Sequence, residues 1–257
     1  MLPKSVRHFI NYQREKWFFS DHRSKSRVEI REIDGFKVAF RSATVDEDVI
    51  SSHAFDHDIF FEAIPEYRPS ANDVIIDVGS HIGTFAVKAA SYASDGVVIA
   101  LEPSRESFCL LEINAALNGQ KCIKPLQRAL ADKCGEVTLY HSPGNWGHSI
   151  TRRLSGSFEV VPSVSIASLF EEFGLDSVQL MKFNCEGAEF PAILAAPAET
   201  LARVDRMIVL YHCDMHRGAK VEELEARLRE AGFEIEYRNR DSDRGWILAR
   251  QPRVLNR

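Results

Sequence analysis

The apolar and polar positions change rhythm at about residue 70. Before it, Val28 to Arg41 (VEIREIDGFKVAFR) alternates on either side of Asp34-Gly35, the pattern of a β-hairpin. Ser5 to Phe19 spaces Val6, Phe9, Ile10, Trp17 and Phe18 along a ragged helical face, and Asp46 to Asp73 reads as a helical stretch ending near Pro65 and Pro69. After it, VIIDV (74–78) and VVIALEP (97–103) are short continuous apolar runs, as expected of strands buried on both faces of a parallel sheet. Each runs into a helical pattern, TFAVKAASYA and then SRESFCLLEINAALNG, the second closed by Gly119. Further strands are predicted at 122–130, 178–183 and 207–211. Lys220 to Ala231 is an amphipathic helix with Val221, Leu224 and Leu228 on one face, and FEIEYRN with RGWILAR forms a terminal hairpin.

Strands alternating with helices predict an α/β fold, a doubly wound, Rossmann-like sheet that ends in an antiparallel C-terminal hairpin. Residues 1–70 read as an N-terminal extension of helix, hairpin and helix packing on a main domain, 71–257. Only 136–164 breaks the alternation. GEVTLYH, SPGNWGHS and FEVVPSVSI look like an inserted β element with a Gly-, Pro- and Ser-rich loop.

Composition narrows the function classes. The 32 basic and 37 acidic residues among 257 leave a net charge of −5, so no global field draws the chain to nucleic acid. Cys109, Cys122, Cys134, Cys185 and Cys213 form no CxxC pair, which argues against a disulfide framework or zinc ribbon and suits a reducing compartment. The charge-broken N-terminus does not resemble a signal peptide, and no run of about 18 apolar residues predicts a membrane span. The expected setting is the cytoplasm.

The candidate chemistry begins at VIIDVGSHIG. Gly79 and Gly83 flank the turn from the first parallel strand into its helix, where doubly wound sheets bind ligands. Asp77 stands where the dinucleotide fingerprint GxGxxG has its first glycine. A carboxylate there repels a diphosphate and attracts a cationic tail, which favours S-adenosylmethionine over NAD. Glu102, ending the second strand, is placed to accept hydrogen bonds from both hydroxyls of a ribose.

These residues resemble the FkbM family of class I S-adenosylmethionine-dependent methyltransferases. The resemblance rests on DVGSHIG (77–83), ALEPSRESFCLLEINAALNG (100–119), VSIASL (164–169) and, most characteristically, MKFNCEGAEFPAIL (181–194). It implies the seven-stranded methyltransferase sheet, S-adenosylmethionine as cofactor, and O-methylation of a hydroxyl on a saccharide or other small molecule. By position it implies that Asp77, Gly79 and Gly83 line the methionine end; Ser80 and His81, inside the same turn, are further cofactor-binding candidates, with His81 contacting the cofactor carboxylate or the substrate or capping the helix. Glu102 with Pro103 would hold the ribose, and Gln127, Arg128 and Ala129 would lie near the adenine. Phe183 to Glu186, including Asn184, would face the transferable methyl. The chain departs from the family pattern in Ser80-His81, in Asn184 where an Asp is usual, and in Leu210 where a Glu is common. Those two lost acids motivate a competing reading, a methyltransferase-like module that binds cofactor without turning it over.

Methyl transfer to an alcohol benefits from a base. Glu186 and His212 are the catalytic candidates. Glu186 and Glu189, three apart at a helix start, serve either as base or acceptor-orienting groups or as acids stabilised by the helix dipole; Glu189 reads mainly as structural. His212 and His216 (HCDMH) follow a strand, where i, i+4 spacing has no fixed meaning, so no metal is assigned. The cluster His53, Asp56, His57 and Asp58 reads as a solvated helix face. Trp146 either contacts the acceptor or fills a satellite core. Asn114 and Asn118 read as structural and Cys185 as an apolar filler.

Overall fold

A computed structural model describes residues 27–52, 59–142, 147–241 and 243–255. The helix expected over 5–19, the cluster at 53–58 and Trp146 lie outside these residues. The hairpin is β1 (Val28–Ile33) and β2 (Phe36–Arg41), turning at Asp34-Gly35. Then follow β3 (Val74–Val78), β4 (Val97–Leu101), β5 (Ile123–Leu126), β6 (Ala129–Leu130), β7 (Gly135–Tyr140) and β8 (Phe158–Val164). The last strands are β9 (Leu180–Phe183), β10 (Arg206–His212), β11 (Glu234–Arg240) and β12 (Arg244–Arg250).

The main sheet has seven strands in the order β11-β12-β10-β9-β3-β4-β5. Its five inner and β5-side strands pair in parallel, while β12 runs antiparallel to β10 and to β11. The order reverses direction at β3, between β4 and β9, so a crevice opens beyond its carboxyl end. Alternation divides the core. Ile75, Val98 and Ala100 pack with the helices Thr84–Tyr92 and Arg105–Leu117 on one face, and Ile76, Ile99, Leu101 and Met181 pack on the other.

Two expected elements differ. The single strand predicted over 122–130 splits, because the Leu126 carbonyl accepts from both Glu102 N and Arg128 N, closing a tight turn. The chain then leaves the main sheet, and β6 joins a separate sheet, β6-β8-β7, built by the 136–164 segment. The long helical stretch before residue 70 is described as two helices, Val45–Ser52 and Ile59–Ala63.

The hairpin docks through two asparagines. Asn114 accepts from Ala39 N at 2.6 Å and donates to Ala39 O and Ile82 O at 3.0 and 2.7 Å. Asn118 does the same for Lys37 N and O at 2.9 and 2.8 Å. The helix thus offers β2 the hydrogen bonds of a neighbouring strand, at Ala39 satisfying buried backbone groups and at Lys37 exposed ones. Phe60 and Phe61 bring the second helix onto Phe85, with ring centroids 5.7 and 4.9 Å apart. Among the described residues no helix is long and apolar enough to cross a membrane.

Candidate functional site

A cavity of about 350 Å³ lies at the carboxyl ends of β3, β4, β9 and β10. Val45, Val49 and Phe60 form one wall, Gly147, His148 and Ile150 another. Of the residues chosen from sequence, Gly79, Ser80, His81, Glu102, Pro103, Ala129, Asn184, Glu186 and His212 line it. Asp77, Gly83 and Gln127 do not.

The cradle forms where β3 meets β9. A Cβ on Gly79 would stand 1.9 Å from the carbonyl oxygen of Asn184, and its φ of 72° is left-handed, so only glycine fits. Glu102 is buried, and its two oxygens accept from His81 N at 2.8 Å and Ser104 N at 2.9 Å. Burial pushes its pKa up, against the pull of His81, Arg41 and those two N–H groups. Each oxygen keeps a lone pair for a hydroxyl donor. Asn184 Oδ1 and His81 Nδ1 are buried without a hydrogen-bond partner among the described residues. Both belong to cavity-lining residues, and a polar ligand would satisfy them.

Asp77 has a different place from the one expected. Alternation turns its side chain to the Ile75 face, where it is fully buried and bonds Lys182 Nζ at 2.8 Å. Lys182 also donates to Gly79 O at 3.0 Å and lies 4.7 Å over the Phe60 ring. The acid therefore meets a cation of this chain, and Lys182 and Phe60 themselves line the cavity. The second oxygen of Asp77 is buried without a hydrogen-bond partner among the described residues.

The second half of the site gathers around His212. Glu189 is fully buried and accepts from His212 N at 2.6 Å, and its Oε1 lies 3.3 Å from His212 Nδ1. Its other oxygen accepts from Gly187 N at 3.0 Å and from Cys185 Sγ at 3.4 Å. On the opposite side of the ring, Nε2 lies 3.6 Å from Glu186. Burial lowers the affinity of His212 for a proton, but the Glu189 and Glu186 carboxylates outweigh it and its pKa is raised. Cys185 is driven well above the usual thiol range by burial and by Glu189, which keeps it an unreactive thiol. His216 stacks on Phe190 at 5.8 Å, so the two histidines of HCDMH engage different partners.

Glu186 takes a left-handed φ of 51°, rare for a side-chain-bearing residue. Its carbonyl oxygen accepts from Ser149 Oγ at 2.7 Å and Thr151 Oγ1 at 3.3 Å. Gly147 packs against its carboxylate, since a Cβ there would lie 2.5 Å from Glu186 Cδ. The inserted β element thus fixes the orientation of the candidate base.

The sequence family described as the methyltransferase FkbM domain matches residues 77–235, more than half of the chain. The chain belongs to the FkbM methyltransferase family. It is 25% identical over 225 residues to the hexuronic acid methyltransferase AglP of Haloferax volcanii, covering 86% of this chain and 88% of that one. It is also 25% identical over 206 residues to methyltransferase sdnD of Sordaria araneosa, covering 64% and 75%. The crystal structure of an FkbM methyltransferase from Methylobacillus flagellatus KT shares the fold, with a TM-score of 0.50 at 15% identity. That likeness covers 77% of this chain and 47% of the solved one.

Several residues of this candidate site carry no functional signal in the sequence. Lys182 stood inside the family block without a role, and only the register of β3 on β9, which sets Asp77 opposite it, reveals the pair. Glu189 was read as a helix-start acid; its contact with His212 crosses from the helix Glu189–Ala195 to the end of β10. Arg41 and Asp46 come from the extension and carried no signal beyond their charge.

Proposed function

We propose that this chain is an S-adenosylmethionine-dependent O-methyltransferase acting on a hydroxyl of a saccharide or other small molecule. The observation that carries the reading is the buried Glu189–His212 pair, whose histidine lines the same cavity as Gly79 and Glu102. A carboxylate acceptor needs no base, whereas an alcohol does, and a carboxylate-oriented histidine is a base. The cavity suits the cofactor on three counts. Gly79 lines the cavity with no side chain, Glu102 retains acceptor capacity for ribose hydroxyls, and Asn184 Oδ1 and His81 Nδ1 lack partners among the described residues. Pro103 and Ala129 would flank the nucleoside.

S-adenosylmethionine, when bound, supplies an electrophilic methyl on a sulfonium. Glu189 holds Nδ1 of His212 as the N–H tautomer, which leaves Nε2 to take the proton of the acceptor hydroxyl. Glu186 sits on the Nε2 side and is placed to orient that hydroxyl and to stabilise the charged ring. Alignment of acceptor and methyl provides the larger part of the rate, up to roughly 7–11 kcal/mol in well-oriented cases. The name of the Haloferax relative, a hexuronic acid methyltransferase, supports a saccharide acceptor. The free cysteines suit a cytoplasmic setting.

The test is formation of S-adenosylhomocysteine by purified protein with hexuronic acids, neutral sugars and their glycosides. Turnover yielding an alkali-stable methyl ether is expected. An alkali-labile methyl ester would overturn the hydroxyl assignment. Asn184, in the position usually held by an acid, favours a second reading, a cofactor-binding module without turnover. Tight cofactor binding with no product across the panel would support it.

A further inference from the structure

The extension lies outside the residues matched by the family, 77–235, yet it reaches the glycine turn. Asp46 lies in the first turn of the helix Val45–Ser52 and is fully buried. Its Oδ2 accepts from Arg41 N at 2.8 Å and Arg41 Nε at 2.7 Å, and its Oδ1 accepts from Arg41 Nη2 at 2.7 Å. Oδ1 also lies 3.1 Å from Nε2 of His81, the residue at the centre of the turn. Arg41 in turn reaches Ser107 Oγ at 3.1 Å on the helix behind the turn. Burial works against the Asp46 anion, but Arg41 and His81 outweigh it and hold the carboxyl well below the usual range.

Arg41 Nη2 also lies 3.2 Å from His81 Nε2, but its two hydrogens serve Asp46 Oδ1 and Ser107 Oγ. An ionised carboxylate can only accept, so Nε2 donates in the contact with Asp46. That fixes the ring and leaves Nδ1 as the nitrogen for an outside partner. Nδ1 is buried and has no hydrogen-bond partner among the described residues, and the ring lines the cavity. The backbone of His81 is held as well, in a left-handed φ of 52°, by its N–H on Glu102. We infer that Asp46 is a positioning residue for cofactor binding: through its contact with Nε2 it sets His81 Nδ1 against the aminoacyl tail of S-adenosylmethionine. This rests on the reading of the cavity as the S-adenosylmethionine site. It makes the extension a part of that site, and not only a cover on the sheet.

The experiment compares two ligands by calorimetry on the full chain. S-adenosylhomocysteine carries the aminoacyl tail; 5′-methylthioadenosine has the same nucleoside and thioether without it. D46N is expected to weaken the first by about tenfold or more and to leave the second unchanged. Unchanged affinity for S-adenosylhomocysteine, or equal losses for both ligands, overturns the inference. Asparagine leaves the Arg41 charge buried and poorly compensated, so D46N can fail to fold. The pair R41M/D46L replaces both ions with apolar side chains and is expected to show the same selective loss. H81N keeps a residue type that tolerates a left-handed φ and should also lose only the tail-bearing ligand. Adding D46N to H81N should then cost nothing more, whereas a further additive loss overturns the coupling. Wild-type protein that binds neither ligand overturns the cofactor reading itself. Wild type that binds both, with no selective loss in the variants, overturns only the role of Asp46.

Discussion

Replacing Glu189 by glutamine removes one charge at a fully buried position and leaves the shape almost unaltered. The wild-type carboxylate meets four donors: His212 N and Nδ1 on one oxygen, Gly187 N and Cys185 Sγ on the other. A glutamine has one acceptor oxygen, so its amide nitrogen must face the donors on one side. One charge-assisted set is lost and a buried N–H is left unpaired, which costs about 2–3 kcal/mol. For a chain of this size that is a fall in Tm of about 5–10 °C. Stability and chemistry separate in the kinetics. If Glu189 orients the base, kcat falls by about 10²-fold while KM for S-adenosylmethionine holds, because the carboxylate itself does not line the cavity. The pH profile carries the stronger test. Activity requires neutral His212, so kcat rises as pH passes through its raised pKa. Without the Glu189 charge, burial remains and favours the neutral ring, so the rising limb moves to lower pH even as the plateau drops. A folded E189Q enzyme with the wild-type plateau and limb would refute the role given to this pair.

Three further outcomes are expected. Because the folded pKa of His212 is raised above its unfolded value of about 6.5, its contribution to stability is complete below that pH and is lost as pH rises through the folded value. Thermal melts across this window should show a loss of Tm with rising pH that H212Q lacks; parallel curves would contradict it. K182M leaves Asp77 buried and unpaired and should cost about 3–5 kcal/mol in denaturant unfolding, most of it recovered in D77L/K182M. A double variant as unstable as K182M would mean the pair is not the cause. G79A forces a Cβ to within 1.9 Å of Asn184 O and should abolish calorimetric binding of S-adenosylhomocysteine, so retained affinity would remove the cradle from the site.

The pattern of the chain by itself determined the α/β sheet. The runs at 74–78, 97–101 and 207–211 are continuous because both faces of those strands are covered, and periodicity reports burial directly. It also determined the hairpin at Asp34-Gly35, the closing antiparallel pair, and which segments meet the ligand crevice, since strand ends and glycine turns are local features. Tertiary structure alone decided which charges meet. Asp77 reads as a ligand-facing acid until the register of β3 on β9 sets Lys182 beside it. Glu189 reads as a helix-start acid until β10 delivers His212 to it, and Asp46 as one charge in an acidic run until the extension folds back on the glycine turn. Ion pairs and hydrogen bonds depend on distances of a few ångströms between residues far apart in sequence. Hydrophobic patterning fixes which face of an element is buried, but not which polar side chain lies opposite.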